Sequence, residues 1–229
     1  MRTTAILNLK GGVAKTVTTV NMAAILARDY KARVLLIDAD CQCNCTEFFG
    51  GASDKGTLAD ILRLPDSYPD PVTFCANCIR GTTVDGVNLI PGDDSLMDLD
   101  LSKVELGRVS MNVLRQFVEA ANGLYDYILI DAMPKMGTAM INVMICCDSL
   151  IIPVQSETLA VEGMAEFLRA FHRIKSHANA ETQQEKTKQC QRKQTDKKEI
   201  CRTDTAYGRV DERDTFWGWT GEEVSLIPP

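Results

Sequence analysis

The sequence predicts an α/β fold in which a doubly wound, mostly parallel sheet carries helices on both of its faces. Short, continuous apolar runs recur along the chain, as in "RVLLI" before Asp38 and "YILI" before Asp131, and such runs are typical of strands covered on both faces. Segments with apolar residues at helical spacing alternate with these runs. With 229 residues, of which 45% are hydrophobic, the chain is long enough to bury the core that this fold requires.

The first strand, helix and strand form one unit at the start of the chain. Residues 4–9 are a short apolar run that leads into a glycine loop, and we predict a strand there. Residues 16–29 carry alanine and valine at helical spacing and predict a helix. The apolar run at residues 33–37 predicts the next strand. A strand–helix–strand unit of this kind is expected to have a right-handed crossover.

The same alternation continues further along the chain. Continuous apolar runs predict strands at residues 87–90, 127–130 and 149–154. Helical spacing of apolar residues predicts helices at residues 57–64, 109–121, 138–147 and 159–174. This order of elements is the one expected for a parallel sheet whose strands are joined by crossover helices.

The character of the sequence changes near residue 175. Residues 1–174 form the predicted domain, whereas residues 175–229 are rich in Gln, Lys, Glu and Thr and predict an irregular, polar C-terminal tail. The Lys- and Gln-rich stretch at residues 182–202 is open to two interpretations, a solvated disordered segment or a contact for DNA phosphates. An altered reading frame or a rearranged gene would also produce a tail of this composition.

Charge and apolar patterning argue against several classes of protein. The formal net charge is −6 and the pI is about 5.0, so no overall positive field attracts nucleic acid or anionic lipid, although a local basic patch stays open. No apolar stretch approaches the roughly 18 residues that a membrane helix needs. The segment Lys10-Gly11-Gly12 interrupts any signal-like core. We therefore expect a cytoplasmic protein without a membrane partner, in which the nine cysteines are reduced.

The glycine loop after the first predicted strand, "LKGGVAKT", is the main candidate for a binding site. In the common phosphate-binding loop, G-x-x-x-x-G-K-[ST], backbone N–H groups hold the phosphates, the lysine reaches the β/γ oxygens and the hydroxyl binds magnesium. Lys15 and Thr16 occupy the last two of these positions. Leu9 and Ala14 replace the two glycines, and Lys10 precedes a Gly-Gly pair instead. The loop still permits close approach of its backbone to an anion at the N-terminus of the next helix.

Four segments in the same order resemble the ParA/Soj family of partitioning ATPases, within the larger group that includes MinD. The pattern K-G-G-x-x-K-[ST] resembles the family's deviant Walker A motif. The segment "VLLIDADCQCN" resembles D-x-D-P-Q-G-N, with Asp38, Asp40, Gln42 and Asn44 in place. "YDYILIDAMP" resembles the Walker B strand, and "LIIPVQSETLAVEG" resembles the segment that follows it. The four motifs span residues 1–172 and imply a P-loop NTPase fold.

The resemblance implies which residues bind and hydrolyse a nucleotide. Lys15 would bind the β/γ-phosphates, and Lys10 would reach the nucleotide of a partner subunit in an ATP-sandwich dimer. Asp40 would orient the attacking water. The nucleotide-binding residues implied in this way are Lys10, Gly11, Gly12, Val13, Ala14, Lys15, Thr16 and Val17.

The resemblance also implies a Mg²⁺ site beside the nucleotide. Thr16 would bind the ion, Asp131 would hold it through water, and Asp38 would support the surrounding shell. A hydroxyl, carboxylates and phosphate oxygens are ligands that suit Mg²⁺.

The function implied by the resemblance is that of a Mg²⁺-dependent ATPase in chromosome or plasmid partitioning. ATP would promote a homodimer that binds DNA non-specifically, and a ParB-like centromere-binding protein would stimulate hydrolysis to ADP and phosphate. In this family the adenine-binding loop and the DNA contacts lie beyond the position equivalent to residue 174. Nothing in residues 175–229 matches them.

Several cysteines depart from the family pattern and keep alternatives open. Cys41 and Cys43 stand where the family has Pro and Gly, Cys45 follows, and Cys75 and Cys78 have C-x₂-C spacing. An Fe–S carrier is one interpretation, but C-x-C-x-C is not the spacing of a familiar cluster motif, which favours incidental thiols. A MinD-like membrane-cycling protein would end in a basic amphipathic helix, and "EEVSLIPP" offers none. A degenerate, non-catalytic nucleotide-binding protein is the remaining alternative.

Overall fold

The computed structural model describes residues 1–51, 55–65, 67–99, 111–154 and 167–180. Within these residues six strands form one sheet in the order β3-β4-β2-β5-β1-β6. The strands are β1 (Arg2–Ile6), β2 (Val34–Ala39), β3 (Arg80–Gly81), β4 (Val87–Ile90), β5 (Tyr127–Ala132) and β6 (Ser149–Ile151). All neighbouring strands are parallel except β3, which pairs antiparallel with β4 at one edge.

The described helices connect and cover these strands. They are α1 (Lys15–Tyr30), α2 (Asn44–Phe48), α3 (Leu58–Leu62), α4 (Pro71–Asn77), α5 (Val113–Ala120), α6 (Thr138–Cys146) and α7 (167–180), with a 3₁₀ turn at Asp94–Asp98. Strand β5 lies between β1 and β2, so the first crossover through α1 passes over one strand position.

Apolar side chains pack against both faces of the sheet in two clusters. On one face α1 contributes Val20, Ala23 and Ala27. On the other face α3, α5 and α6 contribute a larger cluster that includes Leu114 and Val143. Every residue of β2 is buried, because the strand is covered from both sides. The predicted doubly wound, mostly parallel sheet with helices on both faces is confirmed for the described residues.

The observed strands differ from the predicted ones mainly at their ends. Strand β1 ends at Ile6 rather than at residue 9. Strands β2 and β5 continue through Ala39 and Ala132, since their parallel pairing includes Asp38↔Asp131 and one further residue pair. The two aspartates therefore lie inside strands rather than after them.

Several short elements were not predicted from the apolar pattern. Helix α4 begins with Pro71, and the Asp70 side chain accepts a hydrogen bond from the backbone N–H of Thr73. These are the start signals of a helix, but α4 buries only Cys75 and so shows little apolar periodicity. Helix α2 and strand β3 are too short for a periodic pattern to identify.

Helix α7 continues beyond the predicted domain boundary at residue 174. Lys175 Nζ donates hydrogen bonds to the carbonyl oxygens of Ile145 and Cys147 at the end of α6, which is a favourable place for a cation. Ala178 is buried, and its carbonyl accepts a hydrogen bond from Arg115. These contacts extend the ordered helix into sequence whose composition predicts a tail.

The chain divides after Ala180 into two units, Met1–Ala180 and Glu181–Pro229. All residues of the second unit lie outside the described residues, as do residues 109–110 and 159–166 of two predicted helices. In the part of the chain that the structure describes, no helix is both long enough and apolar enough to cross a bilayer.

The starts of β2 and β5 are joined by the ion pair between Arg33 and Asp126. The Asp126 carboxylate accepts hydrogen bonds from the Arg33 backbone N–H at 2.8 Å and from its guanidinium at 2.9 and 3.2 Å. These hydrogen bonds lower the pKa of Asp126 to about 2. A carboxyl group whose pKa is lower in the folded than in the unfolded protein stabilises the fold above its unfolded pKa of about 3.9, and this contribution is lost as the pH falls toward 2.

We expect Asp126→Asn to lower the melting temperature at pH 7, because the variant keeps the shape of the side chain but loses its charge. The difference between variant and parent should shrink as the pH falls from about 5 toward 2. The melting temperatures of variant and parent are measured at each pH by thermal unfolding, monitored by circular dichroism. Asp29→Asn is the matched control, because Asp29 forms an ion pair with its sequence neighbour Arg28 at an exposed helix end, and its effect should be smaller. Equal melting temperatures of D126N and parent at pH 7 would contradict the assignment.

Candidate functional site

Three adjacent strands bring the predicted site residues to one edge of the sheet. In the register of β1, β5 and β2, Ile6 lies beside Asp131, and Asp131 lies beside Asp38. The glycine loop begins at Leu9, with two residues between it and the end of β1. Because all three strands run parallel, the loop and the two carboxylates meet at the carboxyl end of the sheet, where open α/β folds place their ligands.

The glycine loop has an exposed backbone at its two glycines. Gly11 and Gly12 are exposed, and a Cβ at either position would meet no atom within 4 Å. Gly12 has φ +73°, and Ala14, the residue before α1, also adopts the left-handed region with φ 64°. Helix α1 has no side-chain cap and no acidic residue in its first turn. Its N-terminus is therefore a suitable place for an anion.

The two lysines of the loop have different environments. Lys15 is only 7% exposed, and its Nζ donates a hydrogen bond to the Lys10 carbonyl at 3.4 Å. Its ammonium group thus lies inside the curve of the loop. The Lys10 side chain is exposed, while its backbone N–H donates to Asn8 Oδ1 at 3.0 Å. Asn8 in turn donates to the carbonyl of Pro153, beyond β6, at 2.8 Å. The Lys15 side chain is therefore buried in the loop, whereas the Lys10 side chain is exposed at the surface.

The remaining loop residues divide between core and surface. Val13 is 5% exposed and anchors the loop, whereas Val17 is 62% exposed on the first turn of α1. Ala14 is also exposed, and Thr16 is half-buried.

Asp131 is a buried carboxylate beside the start of α1. One oxygen accepts a hydrogen bond from the Thr19 hydroxyl at 3.3 Å, and the Thr16 side chain also donates to this carboxylate. Oδ2 is buried and has no hydrogen-bond partner among the described residues.

Burial raises the pKa of Asp131 to about 7. The hydrogen bond from Thr16 opposes this increase, the nearby Asp38 and Asp40 add to it, and Lys15 opposes it. A buried carboxylate with a spare oxygen and two acidic neighbours favours a cation. Together with the Thr16 hydroxyl, this donor set fits Mg²⁺.

Asp38 holds together two loops at the same edge. Its Oδ2 accepts hydrogen bonds from the Thr46 backbone N–H at 2.7 Å and from the Thr46 hydroxyl at 2.6 Å, while Oδ1 accepts from the Asp40 N–H at 3.2 Å. The Thr46 hydroxyl accepts a hydrogen bond from the Gly92 N–H at 2.9 Å. A Cβ on Gly92 would lie 2.8 Å from the Asp38 carbonyl oxygen, so only glycine fits there. Burial raises the pKa of Asp38, and the hydrogen bonds from Thr46 oppose that increase.

Asp40 begins the loop that carries the two unusual cysteines. It is 7% exposed. Its Oδ1 accepts a hydrogen bond from the Gln42 N–H at 3.0 Å, and its carbonyl accepts from the Cys43 N–H at 3.0 Å. Cys43 has φ 55° and directly precedes α2. The loop therefore makes a tight turn that keeps the Asp40 carboxyl near Asp131, as the electrostatic coupling of the two groups indicates.

The described cysteines are free thiols. Burial raises the pKa of Cys43 and of Cys75 to about 12 in each case, so both stay protonated at neutral pH. No group of three or more His, Cys, Asp or Glu side chains among the described residues is arranged to hold a metal ion. The Mg²⁺ site implied by the sequence is not of that type, since a hydroxyl and phosphate oxygens would supply part of its ligands.

Three residues of the site were not identified from the sequence. Thr19 lies one turn after Lys15 on the buried side of α1, and that spacing is a signal that could have found it. Thr46 and Gly92 gave no comparable signal, because α2 was not predicted and the contact joins positions far apart in the sequence.

Comparison with known proteins adds independent information on this arrangement. A sequence profile described as an AAA domain matches residues 1–184. The chromosome partitioning protein ParA of Caulobacter vibrioides is 35% identical over 183 residues, which are 78% of this chain and 65% of that protein. The sporulation initiation inhibitor protein Soj of Bacillus subtilis is 38% identical over 180 residues, 77% of this chain and 67% of Soj. The chain thus covers less than two thirds of the Caulobacter relative.

A solved structure shares the architecture of the described part of the chain. Cobyrinic acid a,c-diamide synthase from Mycobacterium smegmatis, with bound ATP analog and magnesium, superimposes with a TM-score of 0.63 at 28% sequence identity. The match covers 77% of this chain and 69% of that chain.

The Thr46 hydroxyl is expected to stabilise the site independently of any ligand. We expect Thr46→Val to lower the free energy of unfolding by about 1–3 kcal/mol, because Asp38 loses a donor and the Gly92 N–H loses its acceptor in a buried place. Urea denaturation measures the change. Thr46→Ser is the control, since it keeps the hydroxyl and should lose less. Equal losses in T46V and T46S would contradict the assignment, because the hydroxyl would then contribute no more than the methyl group.

Proposed function

Because this chain belongs to the ParA/Soj family of partitioning ATPases, we propose that it binds ATP with Mg²⁺ at the carboxyl edge of its sheet and hydrolyses it to ADP and phosphate. The observation that carries the proposal is the convergence of Lys15, the uncapped N-terminus of α1 and the buried Asp131 carboxylate at adjacent strand ends. Each supplies one requirement of triphosphate binding: a cation, oriented N–H donors and a metal-holding group.

Lys15 and the loop backbone would bind the triphosphate. The Lys15 ammonium group now donates to a carbonyl of the loop itself, so phosphate oxygens can replace that weak partner with a charge-assisted hydrogen bond. Exposed Gly11 and Gly12 allow phosphate oxygens to approach the backbone without a side chain in the way. The residues 10–17 together form the proposed nucleotide-binding segment.

Thr16 and Asp131 would hold Mg²⁺, with Asp38 behind them. Bound Mg²⁺ would neutralise negative charge on the β- and γ-phosphates during transfer. The spare Oδ2 of Asp131 supports this assignment. Asp38 accepts hydrogen bonds from Thr46 and Asp40 and would keep the neighbouring loops in position around the ion.

Asp40 and Lys10 would act in turnover. Asp40 would orient a water whose oxygen attacks the γ-phosphorus, while the bond to the ADP oxygen breaks and the water releases a proton. Lys10, exposed at the rim of the loop, would reach the nucleotide of a second subunit and stabilise the developing charge. The role of Lys10 requires an ATP-dependent homodimer, which we include in the proposal.

The proposed cellular role is partitioning of a chromosome or plasmid. The ATP-bound dimer would bind DNA non-specifically in the cytoplasm, and a ParB-like centromere-binding protein would accelerate hydrolysis and release the dimer. The name of the Caulobacter relative, chromosome partitioning protein ParA, supports this role. An ATPase assay with and without DNA and a cognate ParB-like protein tests it, since stimulation by both is expected.

A second candidate is a nucleotide-binding protein without turnover. One observation favours it: the loop after Asp40 carries Cys41 and Cys43 in place of the family's Pro and Gly, and Cys43 adopts the left-handed region that glycine tolerates best. Nucleotide binding with no hydrolysis under any condition would select this candidate.

Substitution of the lysine and the aspartate should separate binding from turnover. We expect Lys15→Ala to weaken ATP binding at least ~100-fold, because a buried charge-assisted contact with the phosphates is lost. Asp40→Ala should keep ATP affinity within a factor of about 3 and lower kcat by roughly 100- to 1000-fold. Calorimetry measures the affinity, and phosphate release measures kcat. Lys31→Ala, at the exposed far end of α1, is the control and should change neither. Unchanged hydrolysis in D40A would overturn the role of Asp40.

Removal of the metal should stop turnover without unfolding the protein. We expect EDTA to abolish hydrolysis and Thr16→Ala to raise the Mg²⁺ concentration for half-maximal rate by roughly tenfold or more, because one metal-binding oxygen is lost. Thr18→Ala is the matched control, since the Thr18 hydroxyl only donates to the Ala14 carbonyl at 2.8 Å. An identical Mg²⁺ requirement in T16A and T18A would exclude Thr16 as a metal-binding residue.

A further inference from the structure

A cavity opens beside the start of α6, next to the end of β5. It has a volume of about 280 Å³ and is walled partly by the 3₁₀ turn and partly by the segment between β5 and α6. None of residues 10–17, Asp38, Asp40 or Asp131 lines it. The cavity and the proposed nucleotide site therefore share none of these residues.

The Thr138 hydroxyl is an unusual feature of this cavity. Thr138 is the first residue of α6, lines the cavity and is completely buried. Its Oγ1 has no hydrogen-bond partner in the described part of the chain. A buried hydroxyl without a partner destabilises the protein, and a ligand that accepts or donates a hydrogen bond in the cavity would remove that cost.

The N-terminus of α6 supplies further donors at the same place. Its N-cap residue, Gly137, provides no side-chain hydrogen bond, and the first turn contains no acidic residue. By contrast, Thr57 and Asp70 cap α3 and α4 with side-chain oxygens. The first N–H groups of a helix have no partner within the helix, so those of α6 are open to an acceptor with negative charge.

Gly137 leaves open space where a side chain would otherwise stand. Its φ is 178°, an extended conformation that any residue adopts, so the backbone does not require glycine here. A Cβ at this position would meet no atom within 4 Å. The glycine thus widens the approach to the helix N-terminus.

The charged and apolar residues that line the cavity indicate which kind of ligand it would bind. Lys135 lines the cavity, and no acidic side chain among the described residues forms an ion pair with it. Leu96, Leu99 and Met133 form apolar walls beside it. One cation, one unpartnered hydroxyl and a helix N-terminus suit an oxyanion, and the walls suit a short carbon chain attached to it.

We propose that this cavity binds a small oxyanion through the α6 N-terminus, the Thr138 hydroxyl and Lys135. A phosphate and a carboxylate share this chemistry. The inference is independent of the proposed ATPase activity, because it uses none of the residues assigned to nucleotide binding.

The test uses the full-length chain with Lys15→Ala, so that the glycine loop does not compete for the probe. Inorganic phosphate and butyrate are titrated separately, and the backbone amide resonances of Thr138, Ala139 and Met140 are followed by NMR. We expect saturable shifts of these amides with at least one probe. Saturable shifts with phosphate but not with butyrate would identify an inorganic anion as the ligand type. Tighter binding of butyrate than of phosphate would identify a short-chain carboxylate. No saturable shift with either probe would overturn the proposal.

Variants of Thr138 and Lys135 test the named groups. Thr138→Val should weaken probe binding roughly tenfold, and it should also raise the melting temperature of the unliganded protein because an unpartnered buried hydroxyl is removed. Thr138→Ser keeps the hydroxyl and should bind like the parent. Lys135→Gln should weaken binding about two- to fivefold at low salt, with less effect at high salt. Equal binding by T138V and T138S would overturn the role of the hydroxyl. ATP binding is measured separately, on protein with Lys15 intact. A failure of the oxyanion proposal can therefore be told apart from a failure of the ATPase proposal.

Discussion

The parallel pairing of β1, β5 and β2 is the constraint on which the site depends. It sets Ile6, Asp131 and Asp38 side by side, so that a loop from one strand and carboxylates from two others meet. A shift of one residue between β2 and β5 would turn one aspartate to the opposite face of the sheet. The apolar residues of these strands, which are buried against helices on both faces, prevent that shift. The packing of the core therefore fixes the chemistry at its edge.

Burial gives the carboxylates at this edge different tasks. Both carboxylate oxygens of Asp38 accept hydrogen bonds, one from the N–H and hydroxyl of Thr46 and the other from the Asp40 N–H. Asp131 keeps a buried oxygen without a described partner, and its pKa is raised to about 7. One group is committed to holding loops together, while the other has a reason to attract a cation. Asp38 and Asp131 are paired in the register of β2 and β5, so their position in the sheet is the same. The difference between the two carboxylates therefore comes from the neighbours that the loops place around each of them.

Much of this arrangement could be predicted from the sequence because it depends on local patterns. Apolar runs identified the central strands, and the glycine loop between β1 and α1 identified the main candidate for binding. Contacts between distant segments could not be predicted in this way. The hydrogen bond from Gly92 to Thr46 joins two loops, and α2 is too short to give a periodic signal. Helix α7 also continues past residue 174, since Lys175 and Ala178 make tertiary contacts that composition does not reveal.

The two loops at the site share a backbone feature with a consequence for affinity. Ala14 and Cys43, each the residue before a helix, have φ values of 64° and 55°. Side chains disfavour this left-handed conformation by roughly 1–2 kcal/mol per residue, and in each loop the following helix begins directly after it. The loops are thus preorganised: their unfavourable shape is established during folding, and a ligand that fits it loses little affinity to ordering the chain.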